Sequence, residues 1–377
     1  MCSSLPDPRV AAMREEQWLR SMEYDYFERT VERVLWDAPK ADPESLLGGL
    51  EAFHRERMEK TPSVSKYPES PPWVDYVRTV DRELQQRLNL SLRQLAILRS
   101  MNDYLQFRGF VRAKIRPAEK CRVVYIPQTD RGALHFKNVD DPAPPNWRPS
   151  RERPERLPHD DDLVWDGAGN GLHIDDEPDE IFPLPVTTMY RHYANDVPAA
   201  VDFLTRYSVF FANQNFVLHD RAKRSVAIEK CSHNFIEIFP PDPVIGFSHV
   251  SGMVCRDPNS PQGRYQRAKR QQYMHRFQLP PDGADATFWN ACDRAERMLV
   301  DDIRALGPVP KAEEVIKLFI TPWPNGLNKT GAKLHPEQFV GEYTLRSHGS
   351  LIDERTYYRW DRDEELRFPD EPEVYRF

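Results

Sequence analysis

Five cysteines, Cys2, Cys121, Cys231, Cys255 and Cys292, have the widest choice of chemistry in this chain. They are scattered, odd in number and without a CxxC pair, so their spacing suggests neither a disulfide framework nor a cysteine zinc site. Cys121 and at least some of the others are therefore expected as free thiols. A free thiol is either a small buried hydrophobe or, as thiolate, a nucleophile. Cys121 stands where the texture of the sequence changes. After it come the apolar run CRVVYI, the turn QTDRG and the alternating ALHFK, a β-hairpin with the cysteine at its head. There is no GxGxxG or Walker loop, no HEXXH, and no His/Asp/Glu cluster with ligand spacing, so neither cofactor nor metal is expected.

The elements that must position this cysteine fall into blocks. Residues 9–36 read as a helix, with Trp18, Met22, Tyr26, Val31 and Leu35 near helical spacing. A proline-rich break at 61–73 precedes a second helical stretch over 74–106, within which Ser91 is an N-cap before LRQLAILRSMNDYL. Beyond the hairpin, 141–162 is a charged, proline-rich surface loop, and 196–208 is a helix capped by Asp196. NFVLHD, SVAIEK and NFIEIF, joined by the turns RAKR and CSH, make a meander; 284–306 is helical, and TLRSHG and TYYRW are strands. Helices and antiparallel strands in separate blocks predict an α+β fold.

The totals narrow the partners. At 377 residues the chain can bury a large core, in one large domain or two modest ones. Its net charge of −7, with no basic block or basic-aromatic stripe, argues against nucleic acid. No apolar run approaches the roughly 20 residues that span a membrane. The start, MCSSLPDPRVAAMREEQ, lacks the regions of a secretory signal, so a cytoplasmic protein is expected.

Residues 121–140, CRVVYIPQTDRGALHFKNVD, combine a cysteine opening a strand, a glycine turn, a second strand and the tetrad Lys137-Asn138-Val139-Asp140. GNGLHI (169–174), FPLPV (182–186), the meander NFVLHDRAKRSVAIEKCSHNFIEIF (215–239) and NSPQGRYQRA (259–268) follow in order. In this order and spacing the chain resembles the choloylglycine-hydrolase and penicillin-acyltransferase branch of the N-terminal-nucleophile hydrolases. The tetrad is similar to that family's Arg-Asn-x-Asp motif. LNLSLRQLAILRSMNDY (88–104) resembles the helical segment that precedes the nucleophile in the acyltransferase subgroup. The resemblance implies a four-layer αββα sandwich, with a helical N-terminal segment over 1–120 and a catalytic portion over 121–377. It further implies self-cleavage at Lys120–Cys121, then amide hydrolysis or acyl transfer on a small amide or acyl thioester. The partners implied are that small molecule and the chain's own N-terminal fragment.

The same resemblance distributes roles. Cys121 attacks the substrate carbonyl, and its freed α-amine, which titrates near 7.7–8.0 in model peptides, is the base. Asp140 orients that amine, while Lys137 and Arg264 hold positive charge near thiolate and substrate. The family's oxyanion asparagine falls near Phe247-Ser248-His249, so Ser248 is a candidate donor and His249 a candidate substrate contact. A second oxyanion element is expected near Asp175–Pro178. Three positions depart from the pattern: Lys120 and Arg122 flank the cysteine where small residues are usual, Lys137 replaces an arginine and loses its fork, and Ser248 stands near the place of the asparagine. Two alternatives follow: an uncut enzyme using His249 or His135 as base, and a catalytically dead binding or scaffold protein.

Overall fold

The computed structural model describes residues 7–20, 25–37, 42–64, 70–107, 121–142, 163–169, 194, 196–206, 214–231, 235–241, 246–251, 256–259, 263–264, 267–268, 271, 275, 294–332 and 342–376. Its first third is five helices: α1 (Pro8–Arg20), α2 (Tyr26–Asp37), α3 (Pro43–Val64), α4 (Ser70–Leu88) and α5 (Leu92–Phe107). The helix expected over 9–36 is thus two. Asp25 starts the second one by accepting the Phe27 and Glu28 amides on Oδ1, at 2.8 and 3.1 Å. Asp42, likewise, caps α3 through the Ser45 amide at 2.8 Å. The stretch expected over 74–106 is also divided, at Asn89 (φ 51°). Ser91 then opens α5 with a reciprocal capping box: the Gln94 amide donates to Ser91 Oγ and the Ser91 amide to Gln94 Oε1.

The strands are β1 (Arg122–Thr129), β2 (Gly132–Pro142), β3 (Leu163–Gly169), β4 (Gln214–Asp220), β5 (Ser225–Cys231), β6 (Phe235–Phe239), β7 (Ser248–Ser251), β8 (Thr330–Ala332), β9 (Glu342–Leu351), β10 (Thr356–Asp361) and β11 (Glu373–Arg376). Among the described residues, further helices include α6 (Val197–Arg206) and α7 (Ala312–Ile320), and a π-helical turn over Met298–Asp302 continues into a short α-helical turn, Ile303–Ala305. One sheet runs β11-β10-β9-β2-β1-β7, with β8 on β9; the other runs β3-β4-β5-β6. Every pairing between these strands is antiparallel, so among the described residues the fold is α+β with its helices and antiparallel sheets segregated.

Period-2 alternation gives each sheet two apolar faces. Val123 and Tyr125 of β1 meet Val217 of β4 and Ala227 of β5 between the sheets. Val124, Leu134 and Phe136 turn the other way, onto Val315 and Phe319 of α7. On the far side of the second sheet, Phe216, Leu218 and Ile228 pack with Ala12 of α1, Val80 of α4 and Leu98 of α5. The N-terminal helices therefore cover a β-face that would otherwise expose apolar area. They carry a buried charge knot of their own, in which Arg99 donates to Glu15 at 2.5 and 2.6 Å and to Asp81 at 2.8 Å.

Three contacts fix how the sheets register. Lys223 pairs with Asp353 at 2.7 Å beside the β1–β2 turn. The Tyr125 and His219 rings stack at 4.1 Å, and Val123 shares a cluster with Val217. β1 and β4 thus run in the same direction, and the head of β1 lies level with Asn215 and its partner Glu229.

Candidate active site

Cys121 precedes β1 by one residue and is partly exposed, as a thiol in no disulfide packed against the Val123–Tyr125 cluster between the sheets. β1 is bonded on both sides, to β2 and β7, so the cysteine sits at the end of an interior strand. Lys137 pairs with Val123 and so points to the same face, diagonal to Cys121. His135, opposite Tyr125, shares that face further along, where its Nδ1 meets His219 Nε2 at 3.1 Å. Ser248 also faces the second sheet, opposite Tyr125, and its hydroxyl lies 2.8 Å from that of Ser225.

The other face of β1 holds the charges. Arg122, 1% exposed, donates Nη1 to Asp140 Oδ2 at 2.7 Å. Lys329 Nζ lies 3.4 Å from the same oxygen, and Oδ1 accepts Thr344 Oγ1 at 2.7 Å. Two cations and a hydroxyl on one carboxylate satisfy the rule that a buried charge must be paired.

His249 falls on this second face, opposite Val124. Its Nδ1 accepts from Arg256 Nη2 at 3.2 Å, because a guanidinium can only donate, and its Nε2 meets Glu296 Oε1 at 3.0 Å. Burial works against the Glu296 charge, yet the His249 ring and the Arg256 and Arg122 guanidiniums outweigh it and hold this carboxyl below its ordinary value. The Arg256 amide donates to both oxygens of Glu229, at 3.2 and 3.1 Å, tying the chain after β7 to β5.

The expected residues thus divide into groups. Cys121, Lys137, His135 and Ser248 share one face of the sheet, whereas Asp140 and His249 are engaged on the other. Arg264 is exposed, with its guanidinium on the Asn259 carbonyl. Lys120 and Asp175–Pro178 lie outside the described residues. The sequence reading missed Lys329, Thr344 and Glu229 as neighbours of the strand head. It had one usable signal for such a cluster: a charged Arg122 inside the apolar run of an interior strand demands a buried partner.

No helix among the described residues is long and apolar enough to cross a membrane. No protein-family model matches the chain, and no curated protein does. Among solved structures, the chain is similar to a mutant of the conjugated bile acid hydrolase from Clostridium perfringens, at 11% identity and a TM-score of 0.37, over 68% of this chain and 97% of that one. A second variant of the same hydrolase is similar at 11% identity and a TM-score of 0.32, over 69% of this chain and 89% of that one.

Proposed function

We propose that this chain is a cysteine amide hydrolase or N-acyltransferase of the N-terminal-nucleophile kind, built as a four-layer αββα sandwich and activated by cutting Lys120–Cys121. The observation that carries the reading is the placement of Cys121: a partly exposed thiol at the head of an interior strand, facing the second sheet, with Lys137 diagonal to it. A thiol there gains what it lacks when the bond before it breaks, because the amide nitrogen becomes an amine able to take its proton. Lys137 supplies positive charge on the same face. Asp140, bound by the guanidinium of Arg122 from the strand's first residue, orients the new amine. Ser248, His249 and Arg264 are assigned to the oxyanion and substrate as the family pattern implies, with Ser248 the one of the three that faces the second sheet. The substrate class is a small amide or acyl thioester.

The mass of the purified protein tests this directly. A species beginning at Cys121, replaced by a single intact chain in Cys121→Ala, is the expected result. An intact wild-type chain whose Cys121 does not react with iodoacetamide at neutral pH overturns the reading.

A further inference from the structure

Resting on that reading, we propose that Arg122 is a positioning residue that anchors the newly made chain end and so holds the nucleophile in place, with Lys329 and Thr344 fixing the carboxylate it grips. The need is physical. Once Lys120–Cys121 is cut, the catalytic residue is the first of its chain, and chain ends fray unless something ties them down. A reacting group must nevertheless stay within about 0.5 Å of its working position. Backbone pairing of Arg122 to Asn138 and Ser251 begins one residue after the cysteine. The only side chain that can secure the end from the adjacent position is that of Arg122 itself.

It is placed to do so. The guanidinium is buried on the face away from the thiol and is bound to Asp140, 18 residues along the chain, through a 2.7 Å charge-assisted bond. Asp140 is immobilised in turn by Thr344 on β9 and by Lys329 just before β8, and the Lys329 amide donates to Thr344 Oγ1 at 2.8 Å. Arg122 also adds to the field that keeps Glu296 ionised. The groups facing the strand head are Lys137 from β2 and Glu229 from β5 on one side, and Asp140, Lys329 and Glu296 on the other. A small residue at position 122 could reach none of them.

The same grip acts before the end is free: the ladder of β1 begins only at Arg122, so the side chain of Arg122 also holds the thiol steady for the cut, which is the first reaction that reads it. The Cys121 thiol adds to the Lys120 carbonyl carbon, the C–N bond breaks with its nitrogen taking the thiol proton, and water hydrolyses the thioester to a Lys120 carboxylate and a free thiol. The test follows this reaction by intact mass after cell-free synthesis of the full chain. Arg122→Met should slow the cut by about a hundredfold, the cost of a displacement near 1 Å. It should still fold, because Asp140 retains Lys329 and Thr344. Arg122→Lys should restore part of the rate. Phe53→Leu, in a cluster of α2, α3 and α5 that contains no β1 residue, should lower the melting temperature without slowing the cut. If Arg122→Met is cut as fast as wild type, or if Phe53→Leu slows the cut as much at equal melting temperature, the anchor is overturned while the nucleophile stands. If wild type is never cut, the underlying reading fails and the anchor fails with it.

Discussion

The ring of Tyr125 lies over that of His219 at 4.1 Å, the two planes within 10° of parallel. This contact joins β1, an interior strand of one sheet, to the other sheet and sets the level at which Cys121 meets β4 and β5. Both residues are nearly solvent-free, and the Tyr125 hydroxyl titrates above its ordinary range, chiefly through burial and secondarily through Asp353 and Asp220. Tyr125→Ala should therefore cost about 3 kcal/mol or more of stability, read as a lowered urea midpoint. A loss near zero would mean the stack does not hold the sheets in register.

Lys137 shares the Cys121 face, and a positive charge near a thiol favours its reactive thiolate. Lys137→Met should slow iodoacetamide modification of Cys121 at pH 7 by roughly three- to tenfold, with the rate recovering as pH rises. Modification is followed at the Cys121 peptide by mass spectrometry, which keeps the other four cysteines out of the measurement. An unchanged rate would remove Lys137 from the site.

Asn138 stands between Lys137 and Asp140 in the family-like tetrad, yet its contacts make it a clamp. Its amide donates to the Phe319 and Leu327 carbonyls, both at 3.1 Å, and its Oδ1 accepts Ser347 Oγ at 2.7 Å. Asn138→Asp would set a carboxylate against two carbonyls in a fully buried position. A loss of several kcal/mol is expected, on the order of two unmet buried acceptors plus an unpaired charge. Equal thermal stability of variant and wild type would contradict the bonding.

Local signals in the sequence reached as far as local physics does. The hairpin after Cys121 was legible because Gly132, at φ 95°, sits where the turn needs a residue free of Cβ strain, with apolar runs on both sides. The Ser91 and Asp196 caps were legible for the same reason: each bond spans three residues. What could not be read depends on partners far along the chain. α7 begins where Asp130, in the hairpin turn, accepts the Ala312 amide across 182 positions, and no feature near 312 announces that. β3 was not recognised because LVWDGAG, with its two glycines, lacks the alternation of a half-buried strand. At the site, the pairing of Arg122 with Asp140 was hidden because the likeness to the family assigned Asp140 to the amine and treated Arg122 only as a departure.

Two carboxyls, the buried Asp81 and the partly buried Glu296, should answer pH in opposite directions, and the contrast tests the electrostatics of both halves of the protein. Asp81 is pushed above its ordinary value, first by burial, against the pull of Arg99, with Glu15 adding to the push. Its charged form is therefore disfavoured in the fold, and wild type loses stability as pH rises from the unfolded value near 3.9 through the raised folded one. Asp81→Asn, which keeps an acceptor for Arg99, should escape that loss and gain on wild type as pH rises across this window. Glu296 is held low, so its contribution is present above the unfolded value near 4.3 and disappears as pH falls through the folded one. Glu296→Gln should be less stable than wild type at pH 7, with the gap closing on acidification. Urea midpoints of the three proteins between pH 3.5 and 7.5 decide the matter. Parallel curves for both variants would mean that neither carboxyl has the environment its neighbours imply.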